Sequence, residues 1–397
     1  MLKYQPLSLS RNTYLKARKR EPDMSTRRQF IKCASVLAGV SLAGSLGLPF
    51  KALAAANGGW RMPDEGEEQQ RAFIAFGAQK AIWKDFTPDV QDALGRIARA
   101  ITDYQPLTVF CREHERDLAE EKCGSHNVTY VVTELDDIWM RDTGACFVTS
   151  SAGEPGAVGF NFNGWGNKQR HSKDTRLAAL MAEKYGVTNF HRSALVGEGG
   201  GIEVDGHGTG IMTESSWVNA NRNPGWSRDR VEQELKAMLG LRKIIWLPGI
   251  KGKDITDAHV DFYARFVEPG VVIANLDPDP DSYDHQVTKA HLAILEQATD
   301  ADGRRLQVHL VSPPQEARAS RFSEDNPDFA AGYINYFVIN GAIIAPEFGD
   351  EEADEAAFSL LSKLYPDRKV VQLNIDVIAA GGGGIHCVTN QLPAMND

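Results

Sequence analysis

Four stretches concentrate residues able to do chemistry: Asp136-Asp137-Ile138-Trp139-Met140-Arg141-Asp142-Thr143-Gly144, Gly197-Glu198-Gly199-Gly200-Gly201-Ile202-Glu203, Asp257-Ala258-His259-Val260-Asp261 and Gly381-Gly382-Gly383-Gly384-Ile385-His386-Cys387. A cysteine attacks as its thiolate, and a free thiol with pKa about 8.5 is mostly protonated at neutral pH. A neighbouring cation, either a protonated histidine or the substrate, shifts that balance. Carboxylates beside a thiolate work against it unless the substrate is itself a cation. A guanidinium fits this arrangement. Two or three carboxylates hold its N–H donors in a planar fork, Cys387 attacks the central carbon, and His259 protonates the departing ammonia and later draws a proton from water.

Each element has a plainer reading. A single cysteine near a C-terminus is commonly a small buried hydrophobe. The four-glycine run lacks the Lys-Ser/Thr of a phosphate loop and the strand–helix context of GxGxxG. Asp142, Glu198, His259 and Asp261 lack clustered metal-ligand spacing, and no CxxC or paired Cys/His spacing suggests zinc. No metal site is therefore expected. His386 adjoins Cys387, but neighbours in an extended segment point to opposite faces, which sets His386 aside as the base. The same alternation puts His259 and Asp261 on one face of a strand. Asp136, Asp137 and Glu203 read as caps or surface groups.

The elements that must position these residues alternate. Apolar runs at 107–111, 129–132, 146–148, 243–246, 271–274, 337–339 and 370–373 are β-rich. Stretches at 90–101, 177–185, 228–239, 286–298 and 353–364 carry apolar residues at helical spacing. The chain after the first 56 residues, 57–397, reads as a single compact α/β catalytic domain. Asp142 to Glu198 is 56 residues, Glu198 to His259 is 61, and His259 to Cys387 is 128, close to two further steps. Steps near 60 suggest about five modules that each contribute to one centre.

Charge divides the chain in two. The first 56 of its 397 residues hold ten basic and two acidic side chains, which leaves 33 basic against 51 acidic in the rest. So acidic a body argues against nucleic acid as a partner and suits a small cationic substrate. The basic head reads as an export signal. Arg27 and Arg28 stand before an apolar stretch from Cys33 to Phe50, and small residues at Ala52 to Ala56 offer cleavage sites. The serines and glycines of that stretch make it a weak membrane span, so no stable insertion is expected. Met24 would give the signal a normal short start. The expected location is periplasmic or secreted, by way of the twin-arginine export machinery. Four cysteines remain after processing, and Cys111 and Cys123 are close enough in sequence for a disulfide there. A homo-oligomer is left open.

The motifs DDIWMRDTGACFV, FNFNGWGNK, EGGGIEVDGHGT, NRNP, DAHVDFYARFV, YINYFVINGAIIAPEFGD and GGGGIHCVTNQLP, in this order, resemble those of the agmatine deiminases, a family related to the bacterial peptidylarginine deiminases. The resemblance runs from about Arg61 to Pro393. It implies a five-bladed, pseudo-symmetric α/β propeller, the pentein fold of guanidine-modifying enzymes. It also implies hydrolysis of agmatine to N-carbamoylputrescine and ammonia through a covalent amidino-thioether, without metal or organic cofactor. By the same resemblance Cys387 is the nucleophile and His259 the general acid/base. Asp142 and Asp261 grip the guanidinium, and Glu198 orients it or the histidine. Trp139 packs against the substrate, and Gly383 and Gly384 let it approach. Two departures bear on the amine tail: Gly66 stands where the family has Trp, and Ile255 where it has an acidic residue. Arginine, free or in a peptide, is the alternative substrate, with Lys168 and Arg170 as the nearby cations for a carboxylate. A guanidine-binding protein without turnover is the third reading.

Overall fold

A computed structural model describes residues 59–394. The expected export motif, the apolar stretch after it and the expected cleavage sites lie outside the described residues. Those described form five small sheets, four of three strands built on one plan and one of four strands that joins the two ends of the described chain. A first strand turns back into an antiparallel second, and a helix then carries the chain over to a parallel third.

In the second to fifth sheets the strands are β4 (Cys146–Thr149), β5 (Pro155–Gly159) and β6 (Asn189–Arg192); β7 (Glu203–Val204), β8 (Thr209–Thr213) and β9 (Lys243–Leu247); β10 (Ala264–Glu268), β11 (Val271–Asn275) and β12 (Gln307–Val311); and β13 (Phe337–Ile339), β14 (Ala342–Glu347) and β15 (Lys369–Asn374). The first sheet is shared between the two ends of the chain. Its order is β16 (Thr389–Pro393), β1 (Gln69–Phe76), β2 (Leu107–Cys111), β3 (Val128–Val132), with β16 antiparallel to β1. The last strand thus takes the first-strand place in module one, and the five modules are the five blades of the expected propeller.

Local sequence explains the plan. The hairpin turns at Gly270 and Gly341 need positive φ, at 88° and 74°, which glycine adopts without steric cost. The crossover helices are α1 (Thr87–Thr102), α2 (Leu177–Lys184), α3 (Arg228–Leu239), α4 (His285–Gln297) and α5 (Glu351–Leu364). In α1, Pro88 fits the first turn, and Val90, Leu94, Ile97 and Ile101 form one buried stripe. Each of these apolar side chains stabilises the packing by about 1.5–3 kcal/mol on full burial. The Ser227 hydroxyl caps the start of α3, and Gly240 ends it in the left-handed region. The largest apolar cluster gathers Trp83, Trp139, Phe162, Trp165 and Cys387 with residues of the first and last blades.

Two expectations need correction. Cys111, on β2, and Cys123, at the end of a short helix, are both free buried thiols, so they are not bridged. Both sit in the apolar core, and burial pushes their thiols up, to about 11 and about 12. Asp136, Asp137 and Glu203 are not surface groups; all three are buried. Asp137 accepts hydrogen bonds from the Trp83 and Trp139 indoles and from Gln169, and Glu203 pairs with Arg265.

Candidate active site

Every candidate side chain stands a few residues ahead of the first strand of a blade: Asp142 before β4, Glu198 before β7, His259 and Asp261 before β10, Cys387 before β16. The fivefold plan therefore turns sequence-distant residues toward one centre. The structure brings all five together there.

Asp142 lies on the turn Met140–Thr143, with Oδ1 accepting from the Gly200 amide at 2.9 Å and Oδ2 from the Trp165 indole at 2.9 Å. Burial raises its pKa, with Glu198 and Asp261 adding to the effect. Glu198 precedes the glycine turn Gly199–Gly201. A Cβ on Gly200 would fall 2.6 Å from His259 Nδ1, 2.8 Å from Asp142 Oδ1 and 3.0 Å from Asp261 Oδ2. Only glycine lets the three groups share that space.

Asp261 sits in the 3-10 turn Val260–Phe262 and His259 at its N-cap, rather than on a strand, yet both reach the centre. Ahead of them, Asp257 and Ala258 hold φ of 61° and 67°, a conformation costing about 1–3 kcal/mol per non-glycine residue. Ion pairs from Asp257 to Arg222 at 2.7 Å and Lys168 at 2.8 Å hold the bend. Against the pull of burial, these contacts and Asn221 keep Asp257 low, at about 2.

His259 Nε2 meets Glu198 Oε2 at 3.1 Å, while Arg222 Nε donates to both Glu198 oxygens at 2.8 Å. Burial favours a protonated Glu198, but Arg222 and His259 hold it below the usual range. Glu198 is thus fully engaged in orienting the histidine. Burial alone would lower the His259 pKa; Asp142, the Glu198 bond and Asp261 outweigh it and raise it to about 9. His259 is therefore an imidazolium at neutral pH. Cys387 Sγ lies 3.7 Å from Asp261 Oδ2, and its backbone N–H donates to Asn335 Oδ1 at 3.2 Å. Burial first, then Asp261 and Asp142, push its thiol well above the ordinary range. The resting pair is a neutral thiol and a charged imidazolium.

Two buried polar atoms in this cluster have no hydrogen-bond partner: Asp261 Oδ1, and His259 Nδ1, which lies 3.7 Å from Asp142 Oδ1. Leaving a buried group unsatisfied costs about 1–3 kcal/mol, and together they offer a proton-transfer atom and an anionic acceptor beside the thiol. A cation with N–H donors would satisfy the carboxylate and lower the cost of ionising Cys387.

The sign of the pH dependence follows from His259. Its folded pKa is raised, so the stability it contributes is complete below its unfolded value of about 6.5 and is lost as pH rises through about 9. A role as general acid needs the same proton, so kcat/KM should fall above pH about 9. A pH–rate profile checks this. An unchanged alkaline limb in His259→Gln would assign the limb to another group.

Trp139 donates its indole N–H to Asp137 at 2.9 Å and packs edge-on to Trp165, with ring centroids 6.5 Å apart. It lines a cleft of about 640 Å³ with Trp83, Gln169 and Phe322. Across the 380–384 loop, a second cleft of about 300 Å³ reaches His259 and is lined by Asp254, Asp277, Asp279 and Asp284. Gly383 and Gly384 let groups close in on the cysteine loop: a Cβ would lie 2.2 Å from the Trp139 ring at Gly383 and 2.4 Å from Asn335 Oδ1 at Gly384.

His386 belongs to a helical turn, Ile385–Val388, so extended-strand alternation is not what separates it from Cys387. Both its ring nitrogens are engaged, Nδ1 with Asp261 at 2.8 Å and Nε2 with Glu65 at 2.9 Å. The Gly66 carbonyl accepts from Arg368, and its N–H donates to Asp64. Ile255 is half-buried against the cluster holding Trp139, Trp165 and Cys387. Lys168 is engaged by Asp257 and by the Ile255 carbonyl, and Arg170 pairs with Asp136.

Sequence reasoning missed Glu65, Arg222, Trp165 and Asn335. Asn335 had a usable signal, because it stands just ahead of β13, as the other site residues stand ahead of their strands. It is the contribution of the fifth blade. Among the described residues, no group of three or more His, Cys, Asp or Glu converges to hold a metal ion.

Residues 61–393 match the sequence model of the Porphyromonas-type peptidyl-arginine deiminases. A Streptomyces avermitilis protein is 39% identical over 346 residues, covering 84% of this chain and 97% of its own. The agmatine deiminase of Pseudomonas aeruginosa is 33% identical over 354 residues, 85% of this chain and 96% of its own. The solved agmatine deiminase of Enterococcus faecalis superposes with a TM-score of 0.81 at 30% identity, covering 86% of this chain and 97% of that one.

Proposed function

This chain belongs to the Porphyromonas-type peptidyl-arginine deiminase family, and from that membership we propose that it hydrolyses agmatine to N-carbamoylputrescine and ammonia. The observation that carries the reading is the cluster in which Cys387 Sγ lies 3.7 Å from the Asp261 carboxylate, with Asp261 Oδ1 and His259 Nδ1 buried and free of hydrogen bonds.

The guanidinium enters between Asp142 and Asp261, with Trp139 against it, and its charge lets the Cys387 thiol give up its proton to solvent and stand as the thiolate. The thiolate attacks the central carbon. The C–N bond to a terminal nitrogen breaks, and that nitrogen leaves as ammonia, with His259 passing it a proton through Nδ1. An amidino-thioether that keeps the amine tail remains on Cys387. Water then adds to the same carbon, His259 takes one of its protons, and the C–S bond breaks to give the ureido product and restore the thiol. Glu198 holds His259 in register throughout. The steps as written call on no metal or organic cofactor.

The tail is the point of choice. Ile255 cannot accept a hydrogen bond from an ammonium, so discrimination between agmatine and an uncharged alkylguanidine should be modest. Ammonia release from agmatine, an alkylguanidine, free arginine and a C-terminal arginine peptide, measured side by side, tests the assignment. Agmatine should lead, and Ile255→Glu should raise its kcat/KM advantage over the alkylguanidine by roughly tenfold, one charge-assisted contact. A peptide preferred over agmatine would move the substrate to protein arginine. An unchanged ratio in the variant would place Ile255 away from the amine.

Export of the protein rests on Arg27 and Arg28 and the apolar stretch after them. Replacing both arginines by lysine should block export, and export through the same route by that variant would refute the signal assignment.

A further inference from the structure

Glu65 enters from the segment ahead of β1 and is used by none of the chemical steps. Its carboxylate is saturated. Oε1 accepts from Arg265 Nη2 at 2.7 Å and the Val338 amide at 2.9 Å, and Oε2 meets Arg141 Nη2 and His386 Nε2, each at 2.9 Å. These partners come from four blades: Arg141 stands ahead of β4, Arg265 is on β10, Val338 on β13, and His386 ahead of β16. A carboxylate with every acceptor direction taken cannot swing.

His386 is held as firmly. Its backbone N–H donates to the Asn335 carbonyl at 3.1 Å, and its own carbonyl accepts from Arg141 Nε at 3.4 Å. The ring spans two carboxylates, with Glu65 on one nitrogen and Asp261 Oδ2 at 2.8 Å on the other. Glu203, paired with Arg265 at 2.7 Å, completes the charged surroundings. A free carboxylate offers either oxygen to a ligand. Here His386 takes Oδ2, the oxygen 3.7 Å from Cys387 Sγ, and leaves Oδ1 of the same carboxylate buried and without a hydrogen-bond partner.

We propose that Glu65 and His386 are positioning residues for the reaction: Glu65 fixes the ring of His386, and the ring fixes Asp261 so that a single oxygen faces the guanidinium. This deepens the deiminase reading and rests on it. Neither residue touches the reacting atoms.

The test compares the parent protein with His386→Leu, which removes both ring contacts, His386→Asn, which can keep one donor toward Asp261, and Glu65→Gln, which is isosteric. His386→Leu should lower kcat/KM on agmatine about 100-fold, the scale of a small misplacement at a reacting centre. His386→Asn should recover about tenfold of that loss by restoring one charge-assisted bond. In the Cys387→Ala background, calorimetry should show the His386→Leu and Glu65→Gln changes weakening agmatine about tenfold while leaving the neutral ureido product nearly unaffected. A structural role would weaken both ligands alike, and Asn would not rescue. That result, or near-parent kcat/KM in both His386→Leu and Glu65→Gln, overturns the proposal. If His386→Leu does not fold, Glu65→Gln carries the same cation-against-neutral comparison. A parent that releases ammonia from no guanidine overturns the deiminase reading itself, a result distinct from an active parent with indifferent variants.

Discussion

Cys387→Ala should abolish ammonia release from agmatine and leave agmatine binding in place. Once ionised, the thiol is the strongest nucleophile at the centre: the carboxylates of Asp142 and Glu198 are engaged by N–H donors, His259 is an imidazolium, and the Asp261 carboxylate is a far weaker nucleophile than a thiolate. Without it, the site can still bind and polarise a guanidinium, but no covalent step is available. Loss of an enzymatic nucleophile lowers turnover by roughly 10⁴- to 10⁶-fold. Binding should persist because Asp142, Asp261 and Trp139 are untouched. Ammonia assays and calorimetry on the same preparation check both halves. Residual turnover within about tenfold of the parent would remove Cys387 from the chemistry. A parent that binds agmatine and releases nothing would make the chain a binding protein.

The second large effect falls on the carboxylates. Asp142→Asn and Asp261→Asn should each lower kcat/KM on every guanidine by roughly 30- to 1,000-fold, about 2–4 kcal/mol for a charge-assisted contact in a dry site. Their structural consequences differ. Both Asp142 oxygens accept N–H bonds, so an amide there sets its NH2 against the Gly200 amide or the Trp165 indole. Asp142 is also the largest of the influences that raise His259, so the alkaline limb should move to lower pH in Asp142→Asn. Asp261 keeps one oxygen on His386 and one free, so an amide would turn a donor toward a ligand made of donors. Its loss should appear mainly in binding. Near-parent kcat/KM on all guanidines would remove the substituted carboxylate from the site.

How much of this was legible depended on whether the determining partners were local. The helices were readable because their apolar stripes and caps lie within one segment; α3, from Ser227 to Gly240, is bounded as its periodicity implies. Strands such as β5, β8 and β16 were not, because Pro155, Gly156, Gly159, Gly210 and the polar run Thr389-Asn390-Gln391 give them little strand signal, and neighbouring strands supply the order instead. The five site residues were recognisable by chemical type and by a spacing that turned out to be the blade repeat. Glu65 and Arg222 were not, since a buried charge is identified by its partner, and those partners lie up to 321 residues away for Glu65 and as near as 24 for Arg222. The same ignorance of partners misread Asp137 and Glu203 as surface groups. At 65–66 the sequence departure at Gly66 drew attention, while the folded chain turns Glu65 inward to His386 and joins Gly66 to Arg368.

The central claim is that Cys387 becomes covalently joined to the substrate carbon. Rapid acid quenching of the protein with agmatine, followed by intact-mass and peptide mass analysis, tests it directly. The account predicts a transient adduct equal in mass to agmatine less ammonia, on the peptide carrying Cys387 and absent from Cys387→Ala. Ammonia release at parent rate with no such adduct at any quench time, or an adduct on another residue, would contradict it.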